Sequence, residues 1–345
     1  MKLPYRVLLV YNEPEAIYEN YSGKTNFQDN NFNSEDEHTH FIDLIVDILK
    51  EKYLYADKLP IGKNLSDEII QIKKINPNLI FNLVESIKGK AYLEGAMAGL
   101  YEVLNINYTG NKPDTLYNCL NKKIAKDILI SHGIETPKSI LIDKNDKIIK
   151  KNFDNLYYPV IAKLNEEDAS IGLSEHSICY DSIQLFDRIT FLLDSYKQNI
   201  IVEEYIDGRE LNVAILGEES LPISEIDFST LDDKYPKIVT YEAKWVVETD
   251  YYKNTIPMCP AKLSPEVEKK TKEIALKSFK ALNCRDYARV DIRLTKDNIP
   301  LVIEVNPNPD ISPTAGFARA ASAAGLSYSD MIFKISQLAL NRGNI

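Results

Sequence analysis

Apolar positions in the first hundred residues fall into two alternating rhythms. Val7 to Tyr11 is a short, β-branched apolar run, the pattern of a buried strand. A polar stretch rich in Asn and Ser follows from Asn12 to Ser34 and reads as a loop. From Phe41 to Lys52 the rhythm is helical, with Phe41, Leu44, Ile45, Ile48 and Leu49 on one face. Leu79 to Val84 is a second strand, after a helix ending near Lys74. Glu94 to Leu104 is a further helix, and Tyr108, Thr109 and Gly110 close the region. Strands alternating with helices predict a parallel α/β sheet, so residues 1–113 form the first expected domain.

Beyond residue 113 the rhythm changes. A long helical pattern from Asp114 to Gly133 carries Lys122, Lys123 and Lys126, and Gly133 stops it. Strands are predicted at Ser139–Ile142, Tyr158–Lys163 and Asn199–Glu204, with a loop at Glu166–Gly172. This gives an α+β central block over 114–206. The remainder, 207–345, contains predicted strands at Leu211–Leu216, Tyr287–Leu294 and Leu301–Asn306, and helices at Pro265–Ala281 and Tyr328–Leu340.

A length of 345 residues agrees with two or three domains. The formal charge of −10 has the wrong sign for a non-specific nucleic-acid binder. The cysteines at 119, 179, 259 and 284 form no CxxC pair, which favours reduced thiols in a cytoplasm. No segment approaches the roughly 20 apolar residues of a membrane span, so a cytoplasmic protein without membrane or nucleic-acid partners is expected. With 33 Lys and only eight Arg, each Arg stands out.

The chemistry concentrates near the C-terminus. Tyr287–Leu294 and Leu301–Asn306 flank Thr295, Lys296, Asp297 and Asn298, the pattern of a hairpin. Side chains alternate along a strand, so Arg289, Asp291 and Arg293 share one face, and Glu304 and Asn306 share one face of the partner. Val290, Ile292, Leu294, Ile303 and Val305 fall on the opposite faces. Two carboxylates, a carboxamide and a guanidinium would then converge as a hard-oxygen site suited to Mg²⁺. A solvated hairpin face with a salt bridge is the competing reading, and spacing alone leaves both open. Three further features favour a site. A strand from Val202 bends at Asp207-Gly208 before Glu210, Lys163 precedes the loop ending at Gly172, and Lys122 could reach the same cleft.

Taken in order, these segments resemble the ATP-grasp superfamily, and within it the D-alanine–D-alanine ligase branch. The resemblance runs from about residue 79 onward, through Phe81-Asn82-Leu83, Asn107 to Gly110, Glu204 to Glu210, Cys259 to Leu263, Tyr287 to Asp291, Glu304 to Pro309 and Ala320 to Tyr328. It implies an α/β and α+β ATP-grasp fold behind a Rossmann-like N-terminal domain. It also implies that Lys122 and Lys163 contact the α and β phosphates of ATP, with Ser170 in a loop closing over the triphosphate. Glu203, Tyr205 and Ile206 would form the adenine hinge, Glu210 would bind the ribose, and Lys244 would reach the γ-phosphate. Asp291, Glu304 and Asn306 would hold two Mg²⁺ ions, with Mn²⁺ as a substitute. Arg289 would stabilise a tetrahedral intermediate. A homodimer is the family's usual assembly.

Departures from the family pattern fall at the substrate end. The phosphate loop reads Asp168-Ala169-Ser170-Ile171-Gly172, placing Ala169 where the family has Ser. Trp245 replaces a Tyr after Glu242-Ala243-Lys244, and Glu85-Ser86 replaces His-Gly. Asp310 stands for a Gly, and Ala315-Gly316 for a Ser-Leu pair. A first-substrate Glu falls at Glu35 or Glu37, and the sequence does not choose between them. Asp310 would repel a carboxylate-bearing second substrate; equally, it could cap the turn that follows it. The leading expectation is an ATP- and Mg²⁺-dependent ligase joining a small carboxylate and an amine, both of amino-acid type, through an acyl phosphate. The alternatives are a genuine D-alanine–D-alanine ligase and an ATP-binding protein without catalysis.

Overall fold

The structure is a computed structural model that describes residues 2–12, 34–148, 153–168, 170–246 and 249–342, with the backbone alone for 34–39 and 245. Among these residues the chain begins β1 (Leu3–Asn12), α1 (Ser34–Lys52), β2 (Tyr53–Ile61), α2 (Leu65–Ile75), β3 (Leu79–Leu83), α3 (Leu93–Val103) and β4 (Asn107–Tyr108). These strands form an all-parallel sheet in the order β2-β1-β3-β4. The continuous apolar run of β1 is explained by burial on both faces. Val7 and Leu9 pack with Ile42, Ile45 and Leu49 of α1, while Leu8 and Val10 pack with Ile72, Met97 and Tyr101 of α2 and α3.

Strand β2 is absent from the expectations above. It is an edge strand whose buried positions, Tyr53, Ala56, Leu59 and Ile61, do not alternate with a period of two. Its edge position also accommodates Pro60, which has no N–H to give a neighbour. The long helix expected over 114–133 is instead two, α4 (Pro113–Leu120) and α5 (Lys122–Ser131). Asn121 between them is extended, and its Oδ1 accepts from Ile124 N at 3.1 Å, so a local cap restarts the helix.

A second sheet contains β5 (Ser139–Ile142), β6 (Val160–Leu164), β7 (Ile178–Cys179) and β8 (Ile200–Glu204), in the antiparallel order β5-β8-β6-β7. Helix α6 (Ser182–Tyr196) covers it through Leu185, Ile189 and Leu192. The third sheet is built from β9 (Arg209–Leu216), β10 (Glu219–Ser220), β11 (Ser224–Asp227), β12 (Ile256–Met258), β13 (Tyr287–Leu294) and β14 (Pro300–Pro307). Its main path is β12-β11-β9-β13-β14, antiparallel throughout. Short helices α7 (Tyr241–Trp245) and α8 (Asp250–Asn254) lie between β11 and β12, and α9 (Pro265–Ala281) precedes β13. Helices α10 (Gly316–Ala323) and α11 (Tyr328–Asn341) end the described chain.

Packing joins segments far apart in sequence. Val290, Ile292 and Leu294 of β13 face a core shared with Ala125 and Leu129 of α5 and with Ala275 and Phe279 of α9. Met331, Ile332, Ile335 and Ala339 of α11 return to the first sheet and pack beside α1, against β3 and β4. With one face of the third sheet thus buried, the face bearing Arg289, Asp291 and Arg293 turns away from this core.

The turn between the second and third sheets is tightly fitted. A Cβ on Gly208 would lie 2.0 Å from the carbonyl oxygen of Leu294, and Arg293 Nη1 donates to Gly208 O at 2.9 Å. Gly208→Ala therefore forces backbone apart, and a loss of about 1–3 kcal/mol is expected in urea unfolding. An unchanged midpoint would show that the turn has slack.

Candidate functional site

The hairpin register places the polar cluster. Asp291 on β13 lies opposite Asn212 on β9 and Glu304 on β14, and Arg289 lies opposite Asn306. Arg289 binds Asp291 in a two-point fork, Nε to Oδ1 at 2.7 Å and Nη2 to Oδ2 at 2.8 Å. Asn212 Nδ2 donates to Oδ1 at 2.8 Å and Asn306 Nδ2 to Oδ2 at 2.9 Å, so Asp291 accepts four hydrogen bonds. Glu304 Oε1 meets the same Asn306 Nδ2 only at 3.5 Å.

Four cations surround Glu304. Burial opposes its ionisation, but Lys122, Lys163, Lys244 and Arg289 together hold its carboxyl down at about 2. Lys122 Nζ is 4.0 Å from Glu304 and 4.0 Å from Asp168, and it donates to the carbonyl of Glu167. Its helix is anchored to the start of the loop that follows β6, since Lys122 N bonds Asn165 O at 3.0 Å and Asn121 Nδ2 bonds Glu166 Oε1 at 3.0 Å. Lys244 stands exposed in the last turn of α7. Protein crowded around it, together with Arg289, pushes its ammonium below the ordinary lysine range.

Deeper in the cleft, Glu203 at the end of β8 is only 2% exposed. Its Oε2 lies 3.0 Å from Lys163 Nζ and its Oε1 3.2 Å from Lys126 Nζ. Burial opposes its charge, and the two ammoniums outweigh burial and keep it ionised below the usual range. Tyr205 and Ile206 follow, half-buried, and Tyr205 N donates to Pro159 O at 3.1 Å. Glu210 Oε2 accepts from Arg293 Nη2 at 2.7 Å. Ser170 sits at φ 61°, and its hydroxyl donates to Val239 O at 3.0 Å, tying the loop to the segment before α7.

The other end of the cleft is acidic. Buried Asn12 at the end of β1 fixes the Glu85-Ser86 turn, accepting from Glu85 N at 2.8 Å and donating to Ser86 O at 2.6 Å. Glu85 is exposed to the cleft yet hemmed in by protein, and this desolvation, with Asp310 and Asp168 adding repulsion, raises its carboxyl to about 7. Glu94 is raised for the same first reason, although Asn308 Nδ2 donates to it at 2.8 Å. Asp310 Oδ1 accepts from Ser312 N at 2.8 Å, so this residue does cap its turn while remaining exposed. Ala315 is the N-cap of α10 and Gly316 its first residue.

Residues as far apart in the chain as Glu85 and Asp310 are thus brought around one cleft. Ala169 and the side chains of Glu35, Glu37 and Trp245 lie outside the described residues. Sequence reasoning missed Asn212 and Asn12, each a lone Asn whose partner comes from a distant strand or turn. It placed Lys126 on a helix without a role. The i, i+4 spacing of Lys122 and Lys126 puts both on one helix face, and was the available signal.

Comparison with known proteins gives the family. Residues 131–337 match the family model described as the C-terminus of D-ala D-ala ligase. The D-alanine–D-alanine ligase of Carboxydothermus hydrogenoformans is 31% identical over 307 residues, covering 86% of this chain and 92% of that one. The D-alanine–D-alanine ligase A of Bacillus cereus is 29% identical over 306 residues, covering 88% and 92%. An uncharacterised protein of Sinorhizobium fredii is 32% identical over 264 residues, covering 76% and 75%. Two crystal structures of the Bacillus anthracis D-alanine–D-alanine ligase, one complexed with ATP, share the fold at 24% identity, with TM-scores of 0.73 and 0.75 and 98% of both chains covered. No described helix is long and apolar enough to cross a membrane. The chain has the ATP-grasp fold and belongs to the D-alanine–D-alanine ligase family of enzymes.

Proposed function

We propose that this protein joins a carboxylate to an amine at the expense of ATP, through an acyl phosphate, on a substrate pair other than two D-alanines. The observation that carries the ATP reading is the ring of Lys122, Lys163, Lys244 and Arg289 around Glu304. These four cations converge on one part of the cleft, where their charge could be turned to a triphosphate. Glu203, Tyr205 and Ile206 would receive the adenine and Glu210 the ribose, with Ser170 in the covering loop.

The residues present also fit a divalent cation. No cluster of three or more His, Cys, Asp or Glu among the described residues could hold a metal, so Asn306 and nucleotide oxygens must complete any such site. Asn306 now points Nδ2 at both Asp291 and Glu304. Turned over, its Oδ1 would join two carboxylates around one point, an all-oxygen set suited to Mg²⁺. Bound there, Mg²⁺ would neutralise charge on the β and γ phosphates.

The chain's own groups supply the rest. Lys244, exposed beside Arg289, would meet the γ-phosphoryl group as the substrate carboxylate attacks it. Arg289 is held above its ordinary range, since Asp291 and further carboxylates outweigh burial. It stays charged at any working pH and is aimed by its fork to Asp291. It would stabilise the oxyanion formed when the amine attacks the acyl phosphate.

Asp310 supports the substrate reading, because it opposes the approach of a second substrate bearing its own carboxylate, and Glu85 adds to this above pH 7. The 29–31% identity to D-alanine–D-alanine ligases favours the second reading, a genuine ligase of two D-alanines. A matrix of amino acids and amines screened for ADP release separates the two. Turnover is expected with an amine lacking a neighbouring carboxylate, and strong ADP release on D-alanine alone overturns the leading substrate reading. Glu304→Ala should abolish ADP release in either case; turnover persisting in that variant removes Glu304 from the chemistry.

The pH dependence follows from Glu85. Its carboxyl is raised to about 7, so it is neutral below that pH and anionic above it. KM for a cationic amine is expected to fall as pH rises through 7, and Glu85→Gln is expected to flatten this limb. An unchanged limb in the variant assigns the effect elsewhere.

A further inference from the structure

The buried Lys126 has no task in the scheme above. It is 1% exposed on α5, its Nζ lies 3.2 Å from Glu203 Oε1, and neither atom hydrogen-bonds to anything else described. Glu203 therefore holds two ammoniums, Lys126 on one oxygen and Lys163 on the other. A buried carboxylate needs one counter-charge, and burying a second ammonium is costly. The two lysines differ in what else they can reach. Lys163 also feels Glu304 and Glu210, so it borders the cleft assigned to phosphates and ribose. Lys126 is enclosed and faces Glu203 alone at close range.

We propose that Lys126 is a positioning residue that keeps Glu203 neutralised while Lys163 leaves it to serve the phosphates of the nucleotide. This rests on the nucleotide reading above. Without Lys126, departure of Lys163 would strand a buried, unpaired carboxylate, so Lys163 would stay clamped on Glu203. The departure also relieves repulsion between the ammoniums. Burial pushes Lys126 down and Lys163 adds to that, while Glu203 opposes both. Lys126 thus becomes a better cation as Lys163 moves away.

The test compares MgATP with adenosine by titration calorimetry, alongside thermal melting. Lys126→Met is expected to weaken MgATP by about tenfold or more and adenosine by less than about threefold, because only phosphate binding needs Lys163 released. Lys126→Arg should restore MgATP binding to within about threefold of wild type. A merely structural role predicts equal losses for both ligands in step with the melting temperature, and that result overturns the proposal. So does unchanged MgATP affinity in Lys126→Met. Should that variant not fold, Glu203→Gln and Glu203→Gln/Lys126→Met are compared. With the carboxylate's charge gone, losing Lys126 should change MgATP affinity by less than about threefold, and a tenfold drop sinks the idea. Wild-type protein that binds no ATP overturns the nucleotide reading itself, and this inference with it.

Discussion

The cleft depends on the alternation of β13. A strand sends successive side chains to opposite faces, so one segment of eight residues serves two environments. Val290, Ile292 and Leu294 anchor it in a core closed by α5 and α9. Arg289, Asp291 and Arg293 are thereby presented to the other side, where β9 and β14 supply Asn212, Glu210 and Glu304 in register. A shift of one residue would bury three charged groups and expose three apolar ones. The apolar core on one side thus fixes the polar geometry on the other.

That division explains what could be read from sequence. The hairpin was legible because its pattern is local: two alternating runs joined by turn residues. The central strand β1 was legible because burial on both faces leaves a continuous apolar run. The edge strand β2 was not, since a strand with one neighbour tolerates irregular burial and Pro60. The break at Asn121 depends on a single side-chain cap, which the helical periodicity on both sides masks.

Within the cleft, the groups on the hairpin were accessible to reasoning about strand faces. Lys122, Lys163 and Lys244 stood out only through their order along the chain, because any one of 33 lysines looks like a surface residue. Asn12 and Asn212 carry no local signal, and Lys126 carries only its i, i+4 spacing from Lys122. Each acquires its partner through tertiary packing: Asn12 the Glu85 turn, Asn212 the Asp291 carboxylate and Lys126 the buried Glu203. Burial also decides electrostatics that composition hides. A chain with net charge −10 nevertheless builds a cationic ring around Glu304.

The return of α11 to the first sheet has a consequence for biogenesis. Leu79 and Phe81 of β3 share one core with α1 and with Met331, Ile332, Ile335 and Ala339 of α11, about 250 residues later. As the chain leaves the ribosome in order, that surface stays open until α11 has emerged. The first sheet is therefore sealed only after the second and third sheets have been made. During synthesis this apolar patch needs shelter from other nascent chains.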